Sequence, residues 1–129
     1  MKILLIVKSV VELLAGLALV AAPSMVVSLV IGPLTEPVGV VFVRIAGVAL
    51  IALGIACWLA RNESQNRTTI GLIWALLFYD VSFVLILLSA HLRIALDGIG
   101  LWLVVALHSG LGVWSTLCLS KMKQRAVPT

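Results

Sequence analysis

Charged residues are scarce in this sequence, and their scarcity excludes an ordinary soluble domain. They make up 11% of the 129 residues, whereas hydrophobic residues make up 63%. A typical soluble domain carries about 25% charged residues. A chain of this length could not bury so much apolar surface by folding in water, so lipid must cover it. We therefore predict that residues 1–129 form a single transmembrane domain.

The sequence also lacks the residue patterns of common enzyme sites. Its two cysteines, Cys57 and Cys118, have no CxxC spacing, and its two histidines, His91 and His108, fall at different depths of the membrane. There is no metal-spaced cluster of Cys, His and carboxylate, no phosphate-binding glycine loop and no serine elbow. We therefore assign no catalytic residue, no metal and no cofactor, and expect a protein without catalysis of its own.

Four apolar runs are each long enough to cross a bilayer as a helix, which takes about 20 residues. Lys8 and Glu12 interrupt the first run, and Pro23 follows it where a signal peptidase would have to cleave, so we predict a retained span. Because proline breaks a helix interior, a separate short helix should begin after Pro23, and a turn marked by prolines should follow it. The predicted helices cover about residues 4–22, 24–31, 38–60, 69–90 and 98–120, with Asp97 capping the last.

These elements describe an all-α integral membrane protein, a four-helix antiparallel bundle with a short extra helix after the first transmembrane helix. Basic residues orient it, since cytoplasmic loops are enriched in Lys and Arg. With the N-terminus inside, the cytoplasmic side, including loop 61–68, receives seven of the nine basic residues. The seven are Lys2, Lys8, Arg61, Arg67, Lys121, Lys123 and Arg125. We therefore predict a multi-pass protein of the bacterial inner membrane with both termini cytoplasmic and no nucleic-acid partner.

Arg44 lies within the second long run, where a charge is costly, and is expected to face other helices. Gly47 and Gly54 follow it at i+3 and i+10, which we interpret as nearly the same side of the helix. Glycine lets backbones approach closely, so this side is predicted to be a helix-packing surface.

Each long run carries an ionisable residue, and together these predict an intramembrane polar cluster. Its members are Glu12, Arg44, Asp80 and His108, with Tyr79 beside them. We predict that Arg44 pairs with Asp80, as structural glue rather than as a binding site, and that His108 joins by a hydrogen bond. Glu12 lies four residues after Lys8, which favours a pair along one helix and argues against proton coupling by Glu12.

A set of glycine, arginine and aromatic positions runs through most of the chain. It comprises Arg44-Ile45-Ala46-Gly47, Gly54, Cys57-Trp58-Leu59-Ala60-Arg61, Tyr79 and His108. In these positions, in size and in layout, the chain resembles the DoxX-like group of small bacterial four-helix membrane proteins. Some members of that group are membrane subunits of quinone-linked oxidoreductases, so the resemblance implies a similar setting. The group often has an amide after the tyrosine, where this chain has Asp80.

Three functional classes remain open from the sequence. The favoured one is an accessory or structural membrane subunit. The second is a quinone-linked membrane redox component that uses His108 and Tyr79, and the third is a small proton-coupled transporter that depends on Glu12. The expected partner is the lipid bilayer, and both a homo-oligomer and a larger membrane complex are left open.

Overall fold

The computed structural model describes residues 1–32, 37–63, 66–94 and 98–125, and these residues form five helices. The helices are α1 (Lys2–Ala21), α2 (Pro23–Val30), α3 (Pro37–Ala60), α4 (Arg67–Ile94) and α5 (Leu101–Arg125). All except α2 are long and apolar enough to cross a membrane. The described part of the chain is thus all-helical with four candidate spans, as the sequence predicts.

The distribution of side chains is inverted relative to a soluble protein. Large apolar side chains such as Phe42, Phe78 and Leu103 are mostly exposed, whereas Lys8 and Asp80 are completely enclosed. In water this arrangement would leave apolar surface uncovered, but in lipid it places apolar groups against acyl chains and charges inside the protein. The fold is therefore consistent with a multi-pass membrane protein.

Local sequence explains where the helices begin and end. Pro23 occupies the first turn of α2, where its missing N–H is tolerated, and so separates α2 from α1. Gly32, just after α2, has a φ of 124°, a conformation that side chains disfavour. The side-chain oxygen of Asn66 accepts a hydrogen bond from the Thr69 N–H at 2.8 Å and caps α4. This cap starts α4 at Arg67, two residues earlier than the sequence pattern suggests.

The start of α5 differs from the sequence prediction. Gly98 to Gly100 form a turn, and the helix begins at Leu101. The N–H of Gly100 donates to the carbonyl oxygen of Leu29 at 2.7 Å, which ties this turn to α2. The predicted cap Asp97 lies outside the described residues, and so do residues 33–36 of the turn predicted between Gly32 and Pro37.

The long helices associate as two close pairs. α1 packs chiefly on α3, and α4 packs chiefly on α5, while α2 contacts α1, α3 and α5. Gly16 of α1 and Gly47 of α3 bring the first pair together: a Cβ on Gly16 would lie 2.6 Å from the carbonyl oxygen of Gly47. Gly54 packs against Leu13 and the backbone of Ser9 in the same interface. Glycine therefore sets how closely α1 and α3 approach.

Candidate functional site

An ion pair between Lys8 and Asp80 connects the two helix pairs. Lys8 lies on α1 and Asp80 on α4, and both side chains are buried, at 0% and 1% exposure. The Lys8 ammonium donates a hydrogen bond to Oδ2 of Asp80. Each charge would be costly alone in an apolar interior, so each compensates the other. The pair links α1 to α4 next to the apolar cluster in which Leu4 and Leu5 of α1 pack with Ile73 and Leu76 of α4.

His108 of α5 completes this network. Its Nδ1 lies 2.9 Å from Oδ1 of Asp80. Because an ionised carboxylate can only accept hydrogen bonds, Nδ1 must carry the proton and donate it. The rings of Phe83 and Tyr79 lie beside the imidazole, with centroids 4.4 Å and 5.6 Å away. These contacts fix the imidazole ring, and the network of Lys8, Asp80 and His108 joins α1, α4 and α5.

Glu12 lies beside this network without joining it by a hydrogen bond. It is one turn after Lys8 on α1 and is 1% exposed, yet its Oε1 has no hydrogen-bond partner in the described structure. Ser9 Oγ is also buried without a partner among the described residues, whereas Glu12 in addition lines a cavity. Leaving a buried polar group unpaired costs about 1–3 kcal/mol. Glu12 is therefore the residue of the cluster whose placement the protein's own contacts do not explain.

The cavity beside Glu12 has a volume of about 330 Å³ and an almost entirely apolar wall. We call it the apolar cleft. Its polar side chains are Glu12, Tyr79 and His108. Its wall also includes Ala46 of α3 and Ile86 of α4, which are exposed on the surface of the chain. The apolar cleft therefore opens between α3 and α4, on the side that lipid would cover.

Residues from all five helices build the apolar cleft. α1 contributes Glu12, α4 contributes Tyr79 and Phe83, and α5 contributes His108. The remaining wall is aliphatic, from α1, α2, α3 and the ends of α4 and α5: Val11, Ala15, Leu19, Val26, Val27, Val30, Ile31, Val43, Ala46, Leu50, Ile86, Leu87 and Val104. An apolar wall with an unpartnered carboxyl oxygen at Glu12 suits an apolar molecule that has one polar end.

The predicted pair of Arg44 with Asp80 is corrected by the structure. Asp80 is paired with Lys8 and His108, and Arg44 is exposed on α3. Gly47 and Gly54 face α1, but at 3.6 residues per turn they lie about 60° and 80° around the helix from Arg44. That angle is enough to separate a packed glycine face from an exposed arginine. Arg44 therefore does not share the packing surface predicted for it.

The predicted pair of Lys8 with Glu12 is corrected in the same way. The Lys8 ammonium is directed across to Asp80 on α4 instead of along α1 to Glu12, and it is fully buried rather than extended to the membrane surface. The argument against proton coupling by Glu12 rested on that pair, so it no longer applies. Lys8 is the member of the cluster that sequence reasoning missed; a lysine seven residues after Met1 within an apolar run was the available signal.

The polar cluster and the apolar cleft contain few groups that could take part in a reaction. Within the described residues, no group of three or more His, Cys, Asp or Glu side chains is arranged to hold a metal ion. Cys57 is buried in the cluster of Leu4, Leu5, Ile73 and Leu76, away from the apolar cleft. What the site offers is a carboxyl group, an imidazole and a phenol at the wall of an apolar cleft. Such a site can hold a lipophilic molecule and can take up or release a proton.

Comparisons with known proteins do not extend this description. No family model matches the chain, and neither the curated proteins nor the solved structures include a match. In the part of the chain that the structure describes, the fold and the site together define an all-helical protein with four candidate membrane spans, a buried ion network and an apolar cleft.

Proposed function

We propose that this chain is an accessory subunit of the bacterial inner membrane that holds a small lipophilic molecule in the apolar cleft and performs no catalysis of its own. The observation that carries the proposal is Oε1 of Glu12, a buried carboxyl oxygen without a hydrogen-bond partner among the described residues, at the wall of that cleft. In this proposal the four spans form an antiparallel bundle.

A purely structural role accounts for only part of the polar cluster. Lys8, Asp80 and His108 satisfy one another and connect three helices, which is what structural glue requires. Oε1 of Glu12 adds no hydrogen bond to that network. Since a carboxyl group is costly inside a membrane, a residue that only packed there would be better replaced by an apolar one. A ligand that bonds to Glu12 would offset its cost.

The dimensions and access of the apolar cleft support a lipophilic ligand. Its volume of about 330 Å³ lies at the lower end of the range of ligand pockets, about 300–1,000 Å³. The opening between α3 and α4 would admit a molecule directly from the bilayer. A water-soluble anion is disfavoured, because the nearby Lys8 ammonium is already paired with Asp80.

Filling the mouth of the apolar cleft tests the proposal. Ala46→Phe places a bulky ring at the exposed rim, so we expect it to lower the amount of retained ligand about tenfold, equivalent to about 1.4 kcal/mol of binding free energy. The measurement is mass spectrometry of lipophilic molecules extracted from protein purified in mild detergent. Ala49→Phe is the matched control, because Ala49 is exposed on the same helix but does not line the cleft. The proposal fails if wild type retains only bulk phospholipid, or if both variants retain the same molecule equally.

A quinone is the second candidate ligand, and the protein would then be a quinone-linked redox component. The supporting observation is that Tyr79 and His108 line the apolar cleft together, where a phenol and an imidazole could bond to quinone oxygens. The resemblance to the DoxX-like group points the same way. A quinone in the extract of wild type, absent from Ala46→Phe, would favour this candidate.

Both termini are proposed to be cytoplasmic, which predicts the labelling of two exposed positions. Support comes from the basic residues and from Arg61, whose guanidinium lies 3.7 Å above the Trp58 ring just after α3, as expected at a membrane surface. In a background without Cys57 and Cys118, Ile99→Cys should react with an impermeant thiol reagent in intact cells. Glu63→Cys should react only after the cells are opened. The reverse pattern would invert the proposed topology.

A further inference from the structure

We infer that the ligand of the apolar cleft is a lipophilic cation, and that Glu12 releases a proton when the cation binds. This inference rests on the proposed function, since it names the chemical class of the molecule held there. It goes beyond that function because it makes binding depend on pH. It is carried by the polar groups around Glu12, by the lack of a hydrogen-bond donor to its Oε1 among the described residues, and by the aromatic residues that line the same cleft.

The polar groups around Glu12 form hydrogen bonds with one another and none with its Oε1 among the described residues. Lys8, on the same helix, is paired with Asp80 of α4, so these two charges cancel. His108 of α5 donates from Nδ1 to the same carboxylate, so this N–H is not available to Glu12. Two further titratable groups lie near Glu12, Tyr79 of α4 in the wall of the cleft and Cys57 of α3 outside it, and a phenol and a thiol are ordinarily uncharged near pH 7. Among the described residues, none of these neighbours donates a hydrogen bond to Oε1 of Glu12, so a cation that enters the cleft would find that oxygen without a partner.

An empty apolar cleft therefore favours the neutral acid at Glu12. An ionised carboxylate without hydrogen-bond donors in an apolar wall is strongly disfavoured, and a bound proton removes that charge. A cation in the cleft reverses the balance, because its charge then pairs with the carboxylate. The exchange conserves charge: one cation enters, the O–H bond of Glu12 breaks, and one proton leaves to water.

The remaining wall supports a cation over a neutral or an anionic ligand. Tyr79 and Phe83 line the same cleft as Glu12, and aromatic rings attract cations. A neutral ligand needs only a hydrogen bond, which an amide or a hydroxyl would provide at lower cost to membrane insertion than a carboxyl group. An anion would face Glu12 and would find the Lys8 ammonium already engaged. A carboxyl group at this position has an advantage over an amide or a hydroxyl only if its negative charge pairs with a cationic ligand.

The test compares two probes of nearly identical shape that differ in charge. Benzyltrimethylammonium carries a cationic nitrogen where neopentylbenzene has a neutral carbon, and both are smaller than the apolar cleft. Wild-type protein in detergent is titrated with each probe by calorimetry, in weak buffer with a pH indicator. We expect the cation to bind with release of about one proton, and its affinity to rise about tenfold per pH unit while empty Glu12 is protonated. The neutral probe should release none.

Variants of Glu12 separate a cation site from a general apolar site. Glu12→Gln keeps the shape of the neutral acid, so it should fold, bind neopentylbenzene within about twofold of wild type and lose both cation affinity and proton release. Glu12→Asp should retain proton release. Proton release that persists in Glu12→Gln would assign it to another group and overturn the inference. Equal binding of both probes without proton release would also overturn it and leave the proposed function intact.

The experiments also distinguish a failure of the cation inference from a failure of the proposed function. If neither probe binds wild type, but wild type retains a native molecule that Ala46→Phe loses, the cleft is a binding site for another class of ligand and only the cation inference falls. If neither probe binds and no native molecule is retained, both fail together.

Discussion

Removing one partner of the Lys8–Asp80 pair is expected to destabilise the protein by about 3–5 kcal/mol, because it leaves the other charge buried and unpaired. Lys8→Met strands the carboxylate of Asp80, and Asp80→Asn strands the ammonium of Lys8, in side chains that are 0% and 1% exposed. The double variant contains neither charge. The amide introduced at position 80 still offers an oxygen to the N–H of His108, so most of the lost stability should return.

The free energy of unfolding in detergent, measured for wild type, both single variants and the double variant, gives the coupling energy of the pair. Arg44→Leu is the control, because Arg44 is exposed on α3 and Asp80 already has two partners. It should change stability far less than Lys8→Met. Additive effects of the two single variants would show that Lys8 and Asp80 do not interact. Coupling of Arg44 to Asp80 would instead restore the pair predicted from the sequence.

Adding one methyl group at Gly16 is expected to cost about 1–3 kcal/mol, the usual penalty for overpacking a tight contact. A Cβ there would lie 2.6 Å from the carbonyl oxygen of Gly47 and 2.9 Å from the backbone nitrogen of Ile51. Backbone atoms cannot move aside as a flexible side chain can, so α1 and α3 must separate. Gly47→Ala should behave similarly, since its Cβ would lie 2.8 Å from the carbonyl oxygen of Gly16.

Two other helical glycines provide matched controls for this prediction. Gly71 of α4 and Gly110 of α5 have no atom of the described structure within 4 Å of an added Cβ. Gly71→Ala and Gly110→Ala should therefore be neutral, or stabilising by up to about 1 kcal/mol through helix propensity. Thermal unfolding of all four alanine variants in one detergent makes the comparison. Equal effects at Gly16 and Gly71 would mean that the close α1–α3 contact does not form.

The sequence predicted the helices well because spans depend on local composition. Long apolar runs, Pro23 and Gly32 mark where helices can lie and where they must stop, and the described helices follow those marks. The start of α4 was missed because Asn66 acts through a side-chain cap that composition does not reveal. The late start of α5 depends on a contact between Gly100 and Leu29 of α2, which no local pattern encodes.

The site could be predicted only in part, because sequence gives the depth of a residue more readily than its direction. Asp80 and His108 were predicted to interact because they lie at a similar depth in the membrane, and the structure shows a hydrogen bond between them. Choosing between Arg44 and Lys8 as the cation for Asp80 required knowing which helices are neighbours and how each is rotated. The long lysine side chain adds to the difficulty, since it can extend toward the membrane surface or toward the interior. The apolar cleft could not be predicted at all, because it is a gap between helices.

The distance in sequence between Lys8 and Asp80 also has a consequence for biosynthesis. The two residues are 72 positions apart, so at about 5–20 residues per second the ribosome makes Lys8 about 4 to 14 s before its partner. During that interval α1 and α3 can already associate through their glycines, but the lysine has no counter-ion from α4. A nascent chain that stops before α4 thus lacks the carboxylate with which Lys8 pairs in the finished protein, and its nearest acidic residue is Glu12 on the same helix. The partner of Lys8 therefore distinguishes an unfinished chain from a completed one.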